Sequence, residues 1–101
     1  MAAALEHGVF APLVNTKFRV LFDAADPLEI ELTQISELLL TARQEQFTLV
    51  FRGANEAFLG QGSRRISHDQ MGEFDLFLVP ISQDASGTCY EAVFNRFRKA
   101  D

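Results

Sequence analysis

The residues best suited to acid–base chemistry lie close together in the second half of the chain. His68 and Asp69 are adjacent, and Glu73 follows across a predicted turn, so an acid–base pair could form there. No activated nucleophile stands beside them, and Ser63 and Ser67 lack the elbow pattern of hydrolases. The sequence therefore favours a histidine that caps backbone groups in the turn. Neither the spacing nor the type of ligands indicates a metal site, and no cofactor is expected.

A second candidate for catalysis is Cys89, the only cysteine of the chain. A catalytic thiol needs a nearby base and a depressed pKa, and His68 can serve only if the predicted strands that carry the two residues are neighbours. The simpler interpretation is that Cys89 is a small strand residue. A lone cysteine excludes an internal disulfide, and residues 1–8 lack the pattern of a signal peptide. Both features favour a cytoplasmic location.

A cluster of arginines gives a hint of nucleic-acid binding. Arg52, Arg64 and Arg65 lie near Phe51 and Phe58, and basic and aromatic side chains together can bind single-stranded nucleic acid. The chain as a whole has a formal net charge of −5, which disfavours nucleic acid and anionic membranes as partners. The better prediction is that these arginines pair with acids on neighbouring strands.

Alternating apolar and polar residues predict that an all-β domain carries these side chains. The 101 residues suit one small domain, residues 1–101, and ten phenylalanines supply an aromatic core. The alternation and the apolar runs predict six strands, at residues 17–22, 28–32, 47–52, 63–68, 73–81 and 88–97. Their short links favour a small antiparallel barrel, closed as a meander, or a compact sandwich. Residues 5–13, which precede the strands, favour one or two helical turns.

The strand pattern also predicts which side chains fill the core and how the first two strands pair. Ten inward-facing residues should be nearly fully buried: Phe18, Val20, Ile30, Phe47, Leu49, Phe51, Leu76, Leu78, Ala92 and Phe94. The first two strands are expected to pair so that Phe22 lies opposite Leu28. The same register places Arg19 opposite Glu31, which would form an exposed ion pair.

Two links between the predicted strands carry apolar residues of their own. The apolar residues of segment 33–43 have helical spacing, but they could also continue the second strand through a bulge. We favour a strand that ends near Leu38, followed by an irregular link to Gln46. In the glycine-rich loop after the third predicted strand, Phe58 and Leu59 are expected to close one end of the core.

Six short segments occur in a fixed order along most of the chain. They are FAPLV (10–14), FTLVFRG (47–53), QG (61–62), HxxxGxF (68–74), LFLVPI (76–81) and YEAVFNR (90–96). In this order they resemble an uncharacterised family of short bacterial proteins, a domain of unknown function. The resemblance implies a single β domain without assigned catalytic residues, and relatives beside phage-tail-like genes imply a structural role. The chain departs from the family pattern at Asn15, Ala54 and Arg64, where glycine, proline and an aromatic residue are expected.

The fifth predicted strand is unusual because it is apolar on both faces. Its inward side belongs to the core, whereas Phe77 and Val79 point outward. Leu21, Val50 and Val93 also face outward on other strands, so the five could form one apolar patch. A patch larger than a few hundred Å² (about 300–600 Å² is the usual maximum) rarely stays open on a monomer. We therefore expect Phe77 to be covered, either by the N-terminal segment or by a subunit contact.

Together these observations predict a non-enzymatic structural or protein-interaction module that uses this outer face. Its partner would be another protein, in a phage-tail-like assembly, or a second copy of the chain. The alternative is a small-ligand-binding barrel with a pocket at one end, lined by Phe58, Arg64 and Tyr90. An enzyme is the least favoured class, and a concave site that joins His68 to Cys89 would revive it.

Overall fold

The computed structural model describes residues 5–97 of the chain. In this part, a helix α1 (His7–Phe10) runs into a turn of 3₁₀ helix at Ala11–Leu13, and a second such turn lies at Asn55–Ala57. The strands are β1 (Lys17–Leu21), β2 (Leu28–Ile35), β3 (Leu39–Leu40), β4 (Gln44–Gly53), β5 (Gly62–His68), β6 (Gly72–Asp84) and β7 (Gly87–Phe97).

Six of the strands close into an antiparallel barrel, which confirms the predicted architecture. Around the barrel the order is β1, β2, β4, β7, β6, β5 and back to β1, while the short β3 pairs only with β4. The barrel is not the simple meander that we expected. Because β4 pairs with β2 and β7, the chain must cross one end of the barrel before β5 can pair with β1 and β6. The link 54–61 makes this crossing.

The predicted core is confirmed with one exception. Nine of the ten residues expected inside are buried, and only Phe94 is half-buried. Phe94 lies near the end of β7, where its ring stacks on that of Phe47 with the centroids 4.6 Å apart. Alternation therefore assigns the faces of the strands correctly, because neighbouring side chains of a strand point to opposite sides of the sheet.

The first two strands pair two residues away from the predicted register. Val20, rather than Phe22, lies opposite Leu28. The exposed ion pair consequently joins Lys17 to Glu31, with the Nζ and Oε1 atoms 3.2 Å apart. The turn is wider than predicted because β1 ends at Leu21, which leaves Phe22 in the turn. The shift is an even number of residues, so every side chain keeps its predicted face.

The segment after the first hairpin is a strand, and the helical alternative is wrong. β2 continues to Ile35 through an irregularity between Leu32 and Gln34, which is the bulge that we favoured. The strand ends three residues before the predicted end at Leu38. The link that follows is partly regular, because β3 pairs with β4.

The N-terminal segment enters the core of the barrel. Its first turns are helical, as predicted, and they carry Phe10 to a position with no exposed surface. The ring of Phe10 lies 5.7 to 6.5 Å, between centroids, from those of four other phenylalanines: Phe18, Phe47, Phe74 and Phe94. Asn15 has a φ of 73° and turns the chain into β1, and asparagine tolerates positive φ better than most residues do. We call residues 5–13 the N-terminal plug.

The position of the plug follows from the fact that the two halves of β6 pair with different strands. Residues 72–78 of this strand pair with β5, whereas residues 79–84 pair with β7 and bulge between Pro80 and Ser82. Residues 72–78 therefore do not pair with residues 92–97 of β7 within the described part of the chain. Phe10 contacts a phenylalanine of each of these two segments, so the plug fills the barrel where its sheet is least continuous.

Candidate functional site

Four of the five residues predicted for an outer apolar patch share one surface. Val50 on β4 lies opposite Glu91 on β7, and Glu91 lies opposite Val79 on β6, so the three form a row across three strands. Phe77 and Val93 are two residues further along β6 and β7, and residues two apart on a strand point to the same side. We call Val50, Phe77, Val79, Glu91 and Val93 the outer apolar face.

The fifth predicted residue, Leu21, does not join this surface. It lies opposite Arg65 of β5, which binds two carboxylates of β6. The nitrogen Nε of Arg65 is 2.9 Å from Asp75 Oδ1, and Nη1 is 3.7 Å from Glu73 Oε1. A charged row therefore separates Leu21 from Phe77. The prediction that arginines pair with acids across strands is confirmed for Arg65.

Two side chains of the outer apolar face are largely open to solvent. Phe77 is 53% exposed and Val93 is 56% exposed. The expectation that the N-terminal segment covers Phe77 is wrong for the described residues, because the plug inserts Phe10 into the core instead. Residues 1–4, the start of the expected cover, lie outside the described part. A subunit contact as the cover stays a prediction.

A second candidate site is an open pocket of about 410 Å³ at the end of the barrel that link 54–61 crosses. One wall comes from the turn between β1 and β2, and the other comes from residues 57–60 and β5. Phe22 and Phe58 both line it and remain 37% and 54% exposed. Within the residues that line this pocket, Arg64 carries the only positive charge and Asp26 the only negative one.

The lining of this pocket differs from the one predicted for an end pocket. Phe58 and Arg64 line it as expected, but Tyr90 does not. Tyr90 is fully buried, and its hydroxyl oxygen accepts a hydrogen bond of 2.9 Å from the backbone N–H of Leu59. Leu59 is buried and Phe58 is exposed, so only Leu59 closes the core in the predicted way. Phe22 was not predicted to line the pocket, because the predicted register placed this residue inside a strand.

A polar network fixes the link that forms one wall of the pocket. Asn55 donates through Nδ2 to the carbonyl oxygen of Asp84, at 2.6 Å. Its Oδ1 accepts from Gln83 Nε2, at 3.1 Å, and from Thr88 Oγ1, at 2.8 Å. Thr88 is fully buried, so its hydroxyl needs this partner. The network ties the link to the β6–β7 hairpin and keeps the pocket wall in place.

His68 caps backbone groups, as the sequence indicated. Its Nδ1 accepts the backbone N–H of Gln70 at 3.0 Å, so the proton of the neutral ring is on Nε2. Nε2 then donates to Thr16 Oγ1 at 3.0 Å, and Thr16 donates to the carbonyl oxygen of Leu13 at 2.7 Å. Burial lowers the pKa of His68 below its ordinary value of 6.5, which keeps the ring neutral. Both ring nitrogens are therefore engaged: Nδ1 caps the turn after β5, and Nε2 connects β5 to the plug through Thr16.

The two acids beside His68 are also engaged. Asp69 Oδ1 accepts a hydrogen bond of 2.7 Å from Arg19, and this bond lowers the pKa of the Asp69 carboxyl. Glu73 forms its ion pair with Arg65. The predicted acid–base alternative thus has no uncommitted base within this group.

Cys89 and His68 cannot form a catalytic pair. His68 ends β5 and Cys89 lies near the start of β7, and β6 separates these strands. The sulfur of Cys89 instead lies 3.8 Å from Nη2 of Arg52, whose Nη1 donates to Ser86 Oγ at 2.7 Å. Cys89 is half-buried and unbonded to another cysteine. The structure places it as a strand residue, which was the simpler interpretation.

Among residues 5–97, no group of three or more His, Cys, Asp or Glu side chains is arranged to hold a metal ion. No helix in this part is both long enough and apolar enough to span a membrane.

The comparisons with known proteins agree with the sequence resemblance. A family model described as Domain of unknown function (DUF6916) matches residues 5–94. The chain belongs to this family. The match begins with the plug and includes all of the barrel except the end of β7, so the plug is part of the DUF6916 domain. No curated protein and no solved structure matches the chain.

Proposed function

We propose that this DUF6916 domain is a non-enzymatic protein-interaction module that binds a protein partner through its outer apolar face. The exposure of Phe77 and Val93, which flank the Val50–Glu91–Val79 row on the outside of the barrel, carries the proposal. Single exposed apolar side chains are common, but a group of them marks a surface for association. Full burial of one such side chain stabilises a protein contact by about 1.5–3 kcal/mol.

Glu91 indicates the chemistry of the partner. It lies between Val50 and Val79 in the centre of the outer apolar face, and it forms no ion pair with any described residue. A contact that buries this carboxylate without a cation would cost several kcal/mol (about 3–5 kcal/mol for a broken buried pair). We therefore propose a partner segment that combines apolar side chains with a lysine or arginine facing Glu91.

A second copy of the chain fits this surface less well. In a two-fold contact a residue near the axis meets its own copy, so Glu91 would face another Glu91. The net charge of −5 adds a general repulsion between copies. A module with such a face suits a cytoplasmic structural assembly of phage-tail type, the setting that the family resemblance implies. Neither nucleic acid nor membrane is proposed as a partner, since Arg65 is neutralised by acids.

The test uses a random peptide library selected on the purified domain, because the natural partner is undefined. Recovered peptides should combine apolar residues with a lysine or arginine. Phe77→Asp should weaken their binding at least about tenfold, since loss of one buried anchor in an interface exceeds about 1.4 kcal/mol. Glu91→Gln should weaken binding less and remove its dependence on salt. Leu40→Asp is the matched control, because Leu40 is 54% exposed but lies on β3.

Three results would overturn the proposal. The first is recovery of no peptide above background. The second is equal binding of the recovered peptides by the parent and the Phe77→Asp variant. The third is a parent that light scattering shows to be an oligomer and that Phe77→Asp converts to a folded monomer. That result would assign the outer apolar face to a second copy.

A further inference from the structure

The open pocket at the end of the barrel has the features of a small-molecule site, and it is separate from the outer apolar face. Its volume of about 410 Å³ lies in the range of ligand pockets, about 300–1,000 Å³. Most of its lining is apolar, with Phe22, Pro27, Leu28 and Phe58 around the opening. Such a lining with a small number of polar groups is typical of sites that hold an apolar body and orient it through one end.

Arg64 is a polar group of this pocket whose position the packing of the core does not explain. On β5 it lies opposite Leu76 and two residues before Ile66, and both of these side chains are buried. Arg64 therefore occupies an inward-facing position, where the alternation of the strand calls for an apolar residue. Charged residues that break the pattern of the core are expected mainly at functional sites.

The guanidinium of Arg64 is held in place at the pocket. Its Nη2 donates a hydrogen bond of 2.7 Å to the carbonyl oxygen of Gly60, and its Nε is covered without an acceptor among the described residues. The positive charge has no carboxylate within ion-pair distance in that part of the chain. A fixed guanidinium without a counter-charge is a preorganised site for a carboxylate, because its planar fork matches the two oxygens.

Asp26 limits the choice of ligand. It also lines the pocket, on the turn between β1 and β2, and it is exposed. Its negative charge disfavours a ligand with a second carboxylate or a phosphate, since like charges repel in a partly desolvated pocket. We propose that the pocket binds a small monocarboxylate with an apolar body, the carboxylate on Arg64 and the body between Phe22 and Phe58.

The test uses octanoate as the probe and octanol as its neutral match. Titration calorimetry of the full chain should show saturable binding of octanoate, at least about tenfold tighter than that of octanol. Arg64→Gln should reduce the affinity for octanoate about tenfold or more, as expected for loss of a hydrogen bond between two charged groups. Arg65→Gln is the matched control, because the neighbouring arginine points to the outside of the barrel and binds Asp75.

A second variant keeps the test informative if Arg64→Gln does not fold. Phe58→Ser changes a side chain that is 54% exposed, so the fold should survive while octanoate binding weakens. Absence of saturable octanoate binding would overturn the proposal, as would equal affinity for octanoate and octanol. An equal loss of affinity in the Arg64→Gln and Arg65→Gln variants would overturn it as well. None of these outcomes depends on Phe77, so each leaves the proposed protein contact unaffected.

Discussion

Replacement of Phe10 by alanine tests the role of the N-terminal plug. Phe10 has no exposed surface and contacts four phenylalanine rings that belong to β1, β4, β6 and β7. The substitution removes a large buried side chain, and the surrounding strands cannot close the cavity without moving. Buried phenylalanine to alanine changes cost about 3–5 kcal/mol, and we expect Phe10→Ala to fall in this range. Phe10 would then contribute to the stability of the barrel as a core residue does.

The free energy of unfolding is measured by urea titration, followed by circular dichroism. For a domain near this size, 1 kcal/mol corresponds to about 4–8 °C in Tm, so Phe10→Ala should lower Tm by at least about 12 °C. Phe77→Ala is the matched control, because it removes the same side chain from a position that is 53% exposed. We expect this control to change the free energy of unfolding by less than about 1 kcal/mol.

Equal unfolding midpoints for the two alanine variants would refute the assignment of Phe10 to the core. The denaturant dependence gives a second criterion, because its slope scales with the surface exposed on unfolding. If Phe10→Ala only releases the plug from a stable barrel, the slope will fall while the midpoint of the barrel transition is kept. That result would show that the plug is an accessory of the barrel and not a part of its core.

Two further predictions concern the ends of the barrel. Burial lowers the pKa of His68 below 6.5, so between these two pKa values the unfolded chain binds more protons than the folded one. Stability should therefore fall as the pH drops through 6.5 towards the folded-state pKa. The nearby Asp69 raises the pKa of His68, and Arg19 lowers it. Denaturation at several pH values should show the loss of stability in the parent and in the His7→Gln variant but not in the His68→Gln variant. Gly87→Ala should cost about 1–3 kcal/mol, because φ is +145° there and a Cβ would lie 2.6 Å from a backbone oxygen of β4. A Gly87→Ala variant with the parent's Tm would contradict this.

The sequence predicts the local structure of this chain well because local structure depends on alternation. In β4, Phe47, Leu49 and Phe51 alternate with Thr48, Val50 and Arg52, and the three inward residues are buried as predicted. The register of the first hairpin was wrong because alternation fixes only the face of each residue. Registers that differ by two residues satisfy the alternation equally well, and the length of the turn determines which of them forms.

The order of strands was less predictable, because it depends on contacts between distant residues. Nothing in the pattern of β4 indicates that it pairs with β7 along ten residue pairs, from Gln44–Phe97 to Gly53–Thr88. The position of Phe10 was missed for the same reason. The plug is short and apolar, and such a segment can pack outside a barrel or inside it. The interrupted pairing of β6 and β7, which decides between these positions, is a property of the whole sheet.

The two candidate sites differ in how visible they are in the sequence. Most of the outer apolar face could be predicted, because Phe77, Val79 and Val93 stand at outward positions of clear strands. The pocket joins two links, 22–27 and 54–61, that are far apart in the chain. Of its residues, Arg64 gave the clearest signal, since it is a charged residue at an inward position. A break in the alternation was therefore a better indicator of the pocket than the loops themselves.

The fold by itself does not require an aromatic residue at position 77. The inward side of β6 already supplies Phe74, Leu76 and Leu78 to the core, and all three are buried. A polar side chain at position 77 would keep the pairing with Ser63 of β5 and would remove exposed apolar surface that favours aggregation. Phe77 therefore exposes apolar surface on the isolated domain, although the core of the barrel does not need its ring. A contact that removed this ring from water would stabilise the complex, which is the physical reason why we propose a partner for the outer apolar face.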